Sequence, residues 1–143
     1  MCIRDRDIPV SDEATNETIT VMLGLLEQYQ RRALEKDPVH GKLKQRFVSG
    51  LKQATNAVKA SRARLVLLAI DTEESEALDS KLQILLDEAK AREIPVLYCM
   101  SRRRLAKAMK STFRQSCIAI YDPDGSYPEF KKIVSYIVTR ADT

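Results

Sequence analysis

The amino-acid sequence predicts an α/β fold, a three-layer α-β-α sandwich with a mixed central sheet of about four strands. Two observations support this prediction. Segments with helical periodicity alternate along the chain with short apolar runs, a pattern typical of a mainly parallel or mixed sheet. The run from Arg64 to Ile70 is apolar almost throughout, as expected of a strand that helices cover on both faces.

The first predicted helix is long and amphipathic. We expect Asp12 or Thr15 to cap its start, and we expect it to end near Glu35, because Asp37 precedes a proline and avoids helical angles. Residues 1–12 are expected to be a disordered leader or a sequence artefact, and residues 13–143 to form the domain. The apolar positions that define the helix are Ile19, Met22, Leu23, Leu26, Tyr29 and Ala33.

A second helix is predicted from Leu51 to Ala60, after a basic connection over residues 37–45, a short strand at Gln45–Val48 and a close turn at Gly50. Its amino end carries backbone N–H groups and the positive end of the helix dipole, which together favour a phosphate. Its apolar stripe is Leu51, Ala54, Ala57 and Val58, and its polar side is Lys52, Gln53 and Asn56.

The remaining elements continue the alternation of helices and strands. A helix ends near Arg92, and Ser101 caps a short basic helix whose inward side is Leu105, Ala108 and Met109. The predicted strands are Ile94–Met100 and Cys117–Tyr121, and a turn at residues 122–125 leads into a terminal helix that ends near Arg140.

Charge is strongly segregated along the chain, although the formal net charge is only +4. Residues 31–64 contain ten lysines and arginines against two acids, and residues 101–114 contain six and no acid. The rest of the chain is therefore acidic overall. Two separate basic blocks of this kind are typical of a protein that binds a polyanion, and two solvated faces without a partner are the alternative.

Cysteine usage and motif content exclude several functional classes. The three cysteines, Cys2, Cys99 and Cys117, indicate a reducing compartment and buried strand residues rather than a disulfide framework. With a single histidine, His40, and no metal-ligand spacing, a zinc site is disfavoured. No Ser/His/Asp set, phosphate loop or dinucleotide glycine fingerprint is present, so we expect neither enzymatic activity nor a cofactor. The longest apolar run is too short to cross a membrane.

These segments resemble the L7Ae/L30e kink-turn RNA-binding family. The resemblance covers residues 15–141 and depends on the order of Gly50 and its helix, the strand ending at Asp71, Ile94-Pro95-Val96, and Ser101-Arg102 with Leu105. Within the family, the chain is most similar to the branch of SECIS-binding proteins, which recruit selenocysteine insertion to messenger RNA. The pieces similar to that branch are Tyr29 to Arg32, Lys36 to Val39, Arg46 to Lys52 and Tyr121 to Gly125.

The resemblance implies two RNA-contacting surfaces. One is the amino end of the Leu51 helix with the basic segment ahead of it, and the other is the loop from Cys99 to Arg104. An apolar platform for an extruded base would come from Met100 with Leu97 or Tyr98. The predicted RNA-binding residues are Lys42, Lys44, Arg46, Gly50, Leu51, Lys52, Gln53, Asn56, Met100, Ser101, Arg102 and Arg103.

The chain departs from the family pattern at four positions, three of which are among these residues. Lys52 and Gln53 replace a typical Asn-Glu pair, whose acidic side chain in the family accepts from guanine edges in sheared G·A pairs. Gln53 can still accept through its carbonyl, but without charge. Asn56 stands where the family has a lysine, and Ala106 where it has a glycine. A basic residue at position 52 is similar to the SECIS-binding branch.

The resemblance also implies partners and a location. We expect a monomer that binds a SECIS or other kink-turn RNA, with the ribosome and the selenocysteine elongation factor as candidate protein partners. We expect a cytoplasmic protein, with the nucleus as a second location. The alternatives are a ribosomal or small nucleolar ribonucleoprotein subunit, or a protein-interaction domain of the same fold.

Several of these residues have a purely structural interpretation as well. Gly50 could simply serve a turn, and Met100 could belong to the core. Asp71 is expected to cap the following helix or to be solvated rather than to bind a metal. Tyr121 and Tyr127 could stack bases, but we favour packing near the terminal turn.

Overall fold

A computed structural model of the chain describes residues 8–39, 46–71, 76–111, 116–123 and 125–141. Within these residues five helices alternate with four strands, as the sequence predicts. The elements in chain order are α1 (Glu13–Lys36), β1 (Phe47–Ser49), α2 (Leu51–Lys59), β2 (Leu65–Leu68), α3 (Glu76–Ala91), β3 (Val96–Tyr98), α4 (Arg102–Ala108), β4 (Cys117–Ile120) and α5 (Tyr127–Ala141).

The four strands form one mixed sheet in the order β1-β4-β2-β3. Strand β2 runs parallel to β3 and antiparallel to β4, and β1 is also antiparallel to β4. In register, Leu68 lies opposite both Tyr98 and Cys117. The last strand is thus inserted between the first two, a pairing that alternation along the chain does not specify.

Alternate side chains of the sheet pack into two separate cores, which confirms the three-layer sandwich. Leu65 and Leu67 of β2 join the core beneath α1, α4 and α5, whereas Val66 and Leu68 join the core beneath α2 and α3. Because successive residues of a strand point to opposite faces, an uninterrupted apolar run fits a sheet covered on both sides.

The expected leader is ordered over residues 8–11, contrary to the sequence-based expectation. The amide of Ser11 donates to the carbonyl of Tyr98 at 2.8 Å, and the amide of Tyr98 donates to the carbonyl of Pro9 at 3.0 Å. The hydroxyl of Tyr136 also donates to the carbonyl of Val10 at 2.7 Å. This segment therefore pairs with the edge of β3, and residues 1–7 lie outside the described residues.

The helix starts follow the local signals in the sequence. A carboxylate oxygen of Asp12 accepts from the amide of Thr15 at 2.8 Å, so Asp12 is the cap of α1. The hydroxyl of Ser101 accepts from the amide of Arg104 at 3.2 Å and caps α4 as predicted. No helix of the described residues has the length and hydropathy needed to span a bilayer.

Cys99, directly after β3, and Cys117, in β4, are both buried as predicted. Burial raises the pKa of the Cys99 thiol and of the Cys117 thiol to about 12, because the thiolate would lose its hydration. Both cysteines are free thiols. They act as small apolar residues of the core, since a thiol with so high a pKa is a poor nucleophile near neutral pH.

Gly125 gives a prediction about stability. Its φ is 91°, and a Cβ there would lie 2.5 Å from Cε2 of Tyr29, so an alanine meets both backbone strain and a clash. We expect Gly125→Ala to lower the free energy of unfolding by about 2 kcal/mol or more in urea denaturation. The control is Gly24→Ala, inside α1 with nothing within 4 Å, which should raise stability by roughly 0.5–1 kcal/mol. Equal stability of the two variants would contradict the requirement for glycine at position 125.

Candidate nucleic-acid interface

The start of α2 and the start of α4, one from each predicted contact surface, lie at the same end of the sheet, where β1, β2 and β3 finish and β4 begins. Backbone hydrogen bonds join these chain segments. The amide of Gly50 donates to the carbonyl of Cys117 at 2.8 Å, and the amide of Ile70 donates to the carbonyl of Met100 at 3.0 Å. We call this part of the molecule the Gly50 end. A continuous backbone network therefore fixes the start of α2 relative to the start of α4.

Gly50 sets the start of α2 through its backbone conformation. Its φ of 97° and ψ of 146° lie in a region that is essentially restricted to glycine. A Cβ at this position would meet nothing within 4 Å, so the requirement is conformational and not a lack of space. As the N-cap residue, Gly50 has no side chain to cover the first amides of the helix. The amino end of α2 therefore presents backbone donors at the surface.

The polar side of α2 faces solvent as predicted. Lys52, Gln53 and Asn56 are exposed, whereas Leu51 is half-buried. The stripe of Ala54, Ala57 and Val58 is buried against β2, β4 and α3. The helix thus places an ammonium group, two amide side chains and its backbone N–H groups on one accessible surface.

The start of α4 is held by a carboxylate from the end of β2. A side-chain oxygen of Asp71 accepts from the amide of Arg102 at 2.7 Å and lies 3.6 Å from the guanidinium Nε of the same residue. From the sequence, Asp71 is expected to cap the helix that follows it. It does accept from the first amide of a helix, but that helix is α4. This contact spans 31 residues of sequence, so local patterns contain no signal for it.

A second carboxylate neutralises another arginine of α4. The guanidinium of Arg104 donates to the two carboxylate oxygens of Glu13 at 2.8 and 3.3 Å. The hydrogen bond from Arg104 keeps the pKa of the Glu13 carboxyl below its usual value, and the same contact raises the pKa of Arg104. Arg103, which lies between these two arginines in sequence, is also exposed and makes no ion pair with any residue that the structure describes.

The predicted apolar platform at Met100 is wrong. Met100 is only 2% exposed and packs in the core beneath α1, where the hydroxyl of Thr20 lies 3.4 Å from its sulfur. Leu97 and Tyr98 are also buried, because β3 is covered on both faces of the sheet. A base therefore cannot rest on these side chains in the described conformation.

Arg46 does not belong to the Gly50 end. It precedes β1, and its carbonyl accepts from the amide of Tyr121 at 2.7 Å, at the opposite end of β1 and β4. Its guanidinium lies 5.1 Å from the ring centroid of Tyr29. Sequence proximity to Gly50 is misleading here, because the intervening residues form an extended strand. Lys42 and Lys44 lie outside the described residues.

The separation of the two surfaces follows from the strand order. Gly50 follows β1 and Ser101 follows β3, and β4 and β2 lie between those strands. Three strand spacings of about 4.8 Å separate β1 from β3 by about 14 Å within the sheet, and the helices that follow them lie on opposite faces of it. The Gly50 end therefore presents the amino end of α2 and the exposed Arg103 as two separated positive sites at one end of the sheet.

Comparison with known proteins identifies the family. Residues 32–128 match the Ribosomal protein L7Ae/L30e/S12e/Gadd45 family. The match includes both candidate surfaces and more than half of the chain. The chain therefore belongs to this family, as the resemblance implied.

Two curated relatives are SECIS-binding proteins. The chain is 26% identical over 134 residues to Selenocysteine insertion sequence-binding protein 2 of Rattus norvegicus, covering 92% of the chain and 16% of the relative. It is 28% identical over 122 residues to the human Selenocysteine insertion sequence-binding protein 2-like, covering 83% of the chain and 11% of the relative. The chain thus spans a small part of the length of these proteins.

A solved structure confirms the fold. The Giardia lamblia 15.5kD RNA binding protein superposes with a TM-score of 0.71 at 18% identity, covering 96% of the chain and 99% of that protein. At this level of identity the likeness establishes the architecture, including the mixed sheet between two helical layers.

Proposed function

We propose that this chain binds RNA, recognises a kink-turn or SECIS-type element in the 3′ untranslated region of messenger RNA, and supports selenocysteine incorporation during translation. The observation that carries the proposal is the exposed set of Lys52, Gln53 and Asn56 at the amino end of α2. Family membership supports RNA as the partner, and the similarity to two SECIS-binding proteins supports the type of RNA.

The amino end of α2 has the chemistry for a phosphate and a base edge together. Backbone N–H groups and the helix dipole attract a phosphate, and the ammonium of Lys52 adds a charge beside them. The carboxamide of Gln53 can accept a hydrogen bond from a guanine amino group and donate one to a base acceptor. Sequence-specific RNA recognition usually depends on such contacts to bases displaced from a regular helix.

The second contact is proposed at Arg103. Asp71 and Glu13 bind Arg102 and Arg104, so these two arginines mainly position α4. Arg103 lies between them in sequence and is exposed, which leaves its guanidinium oriented to solvent for a phosphate. A rigid RNA that contacts both α2 and Arg103 must span the roughly 14 Å between the strands that precede them and also reach from one face of the sheet to the other. This spacing favours a folded RNA over a featureless strand.

The remaining parts of the proposal concern the cellular setting. The ribosome and the selenocysteine elongation factor are the protein partners that this function would require. The proposed activity is binding without catalysis, by a monomer, in the cytoplasm and also in the nucleus. The tests that follow distinguish this function from two alternatives. One is that the natural ligand is ribosomal or guide RNA, and the other is a protein-interaction role without RNA.

A panel of RNAs tests the function directly. It contains a SECIS element, a box C/D kink-turn and a SECIS element with its G·A pairs disrupted, each measured by fluorescence anisotropy at more than one salt concentration. We expect the SECIS element to bind more tightly than both others, and its preference to persist at higher salt because base contacts are less salt-dependent than phosphate contacts. Preference for the box C/D element would favour a ribonucleoprotein subunit. Equal binding of all three would contradict specific recognition.

Lys52 should matter more than an equivalent charge elsewhere on α2. We expect Lys52→Ala to weaken SECIS binding roughly tenfold, because it removes a charge-assisted hydrogen bond, and to affect a random duplex much less. The matched control is Lys59→Ala, an exposed lysine of the same helix about 10 Å along its axis. Equal losses for the two variants, or equal losses on both RNAs, would leave only non-specific electrostatic attraction.

Gln53 permits a test in which charge and recognition act in opposite directions. Gln53→Glu introduces the acidic acceptor typical of the family, so the hydrogen bond to a guanine edge becomes charge-assisted. We expect about fivefold tighter binding to the intact SECIS element and weaker binding to the G·A-disrupted RNA, which a negative charge repels. Weaker binding to both RNAs would show that Gln53 does not contact a base edge. Gln83→Glu on the exposed side of α3 is the control for added charge.

A further inference from the structure

Three arginines cluster at the end of the sheet opposite the Gly50 end. The carbonyl of Arg46 accepts from the amide of Tyr121 at 2.7 Å, and the amide of Arg64 donates to the carbonyl of Ile120 at 2.7 Å. Arg62 lies close to the same strand end, above the ring of Tyr121. We call this set, Arg46, Arg62 and Arg64 with their tyrosines, the Arg-Tyr end. The proposed function makes no use of Arg62 and Arg64.

Each of these arginines is held by a tyrosine. The guanidinium carbon of Arg62 lies 4.6 Å from the ring centroid of Tyr121, and that of Arg46 lies 5.1 Å from the ring centroid of Tyr29. The guanidinium of Arg64 donates to the hydroxyl of Tyr127 at 3.4 Å. Attraction between a guanidinium and an aromatic face orders the arginine and leaves its positive charge in place.

Arg62 and Arg64 differ from two arginines of α4 in the groups that contact them. Arg102 and Arg104 pair with Asp71 and Glu13, whereas no ion pair of Arg62 or Arg64 is found in the described part of the chain. Arg62 and Arg64 are both exposed. Their donors are therefore accessible to an anionic partner.

The tyrosines themselves are anchored in the protein. Tyr121 is half-buried against the core beneath α2 and α3, and the ring of Tyr29 lies so close to Gly125 that a Cβ there would be 2.5 Å from its Cε2. The ring of Tyr121 therefore acts as a support, in agreement with its sequence-based interpretation as a packing residue, whereas Tyr127 is 40% exposed. The outer face of the Arg62 guanidinium, away from its ring, is the surface that a ligand would meet.

We propose that the Arg-Tyr end binds single-stranded RNA, with a base stacked on the outer face of the Arg62 guanidinium and a neighbouring phosphate bound by Arg64. Planar arginines and aromatic rings are the groups on which unpaired bases stack, and their cationic donors bind the adjoining backbone. An acidic peptide could use the charge but would gain nothing from a flat stacking surface. The structure therefore favours unpaired nucleotides as the partner.

The Arg-Tyr end is close enough to the Gly50 end for one RNA molecule to contact both. The strands that separate the two ends contain about four residues, which corresponds to roughly 13 Å. Single-stranded nucleotides that flank a folded element at the Gly50 end could therefore reach Arg62. One RNA molecule could then contact the protein at both ends, and the second contact would raise its effective concentration at the first.

The test uses a short oligouridylate, which contains no guanine and cannot form G·A pairs. We expect Arg62→Lys to weaken its binding roughly fivefold or more in fluorescence anisotropy, because lysine keeps the charge and loses the stacking plane. Tyr121→Leu should cause a similar loss by removing the support of Arg62. Circular dichroism establishes whether each variant is folded. If Tyr121→Leu is unfolded, the test depends on Arg62→Lys, which changes an exposed side chain.

The matched control is Arg92→Lys, which makes the same change at an arginine bound by Glu88, and its binding should equal that of the unmodified chain. Equal affinity of Arg62→Lys and Arg92→Lys would overturn the proposal. Competition by polyglutamate as effective as that by oligouridylate would also overturn it, in favour of an acidic protein partner. Because the probe lacks G·A pairs, a failure of SECIS recognition at the Gly50 end would leave this result unaffected.

Discussion

The structure depends on the insertion of β4 between β1 and β2. This antiparallel pairing joins the last strand to two strands that precede it by about 50 to 70 residues, and it closes a sheet whose two faces can then be covered. It also places the carbonyl of Cys117 where the amide of Gly50 reaches it, so the start of α2 is fixed by the centre of the sheet. At the other end of the same strand, Tyr121 is brought beside Arg46 and Arg62.

The two ends of the sheet differ in the groups that contact their arginines. At the Gly50 end, carboxylates bind Arg102 and Arg104 and leave Lys52 and Arg103 exposed beside the amino end of α2. At the Arg-Tyr end, the ring of Tyr121 supports the guanidinium of Arg62, and the hydroxyl of Tyr127 accepts from that of Arg64. An ion pair suits an arginine that positions a helix, whereas an aromatic support keeps the charge available for a ligand. A rigid apolar sandwich between the two ends keeps both arrangements in place.

Most of the fold could be predicted from the sequence. Within the candidate site, the exposed polar side of α2 could be predicted as well. Helical periodicity predicted α1, α2 and α5 to within a few residues, because burial of one helix face imposes a local spacing. The exposure of Lys52, Gln53 and Asn56 follows from the same spacing. The strands are shorter than predicted, since only the residues that pair with a neighbour complete the ladder. Residues 8–11 were missed because their pairing with β3 depends on a strand far along the chain.

By itself, the sequence determined the order of elements, the apolar stripes, the caps at Asp12 and Ser101, and the two basic blocks. Each of these depends on residues within a few positions of one another. The tertiary structure alone decided that Met100 is buried, that Arg46 lies at the opposite end from Gly50, and that Glu13 and Asp71 bind arginines of α4. These outcomes depend on strand order and on contacts between distant segments, and local spacing does not encode which distant charge or strand a residue will meet.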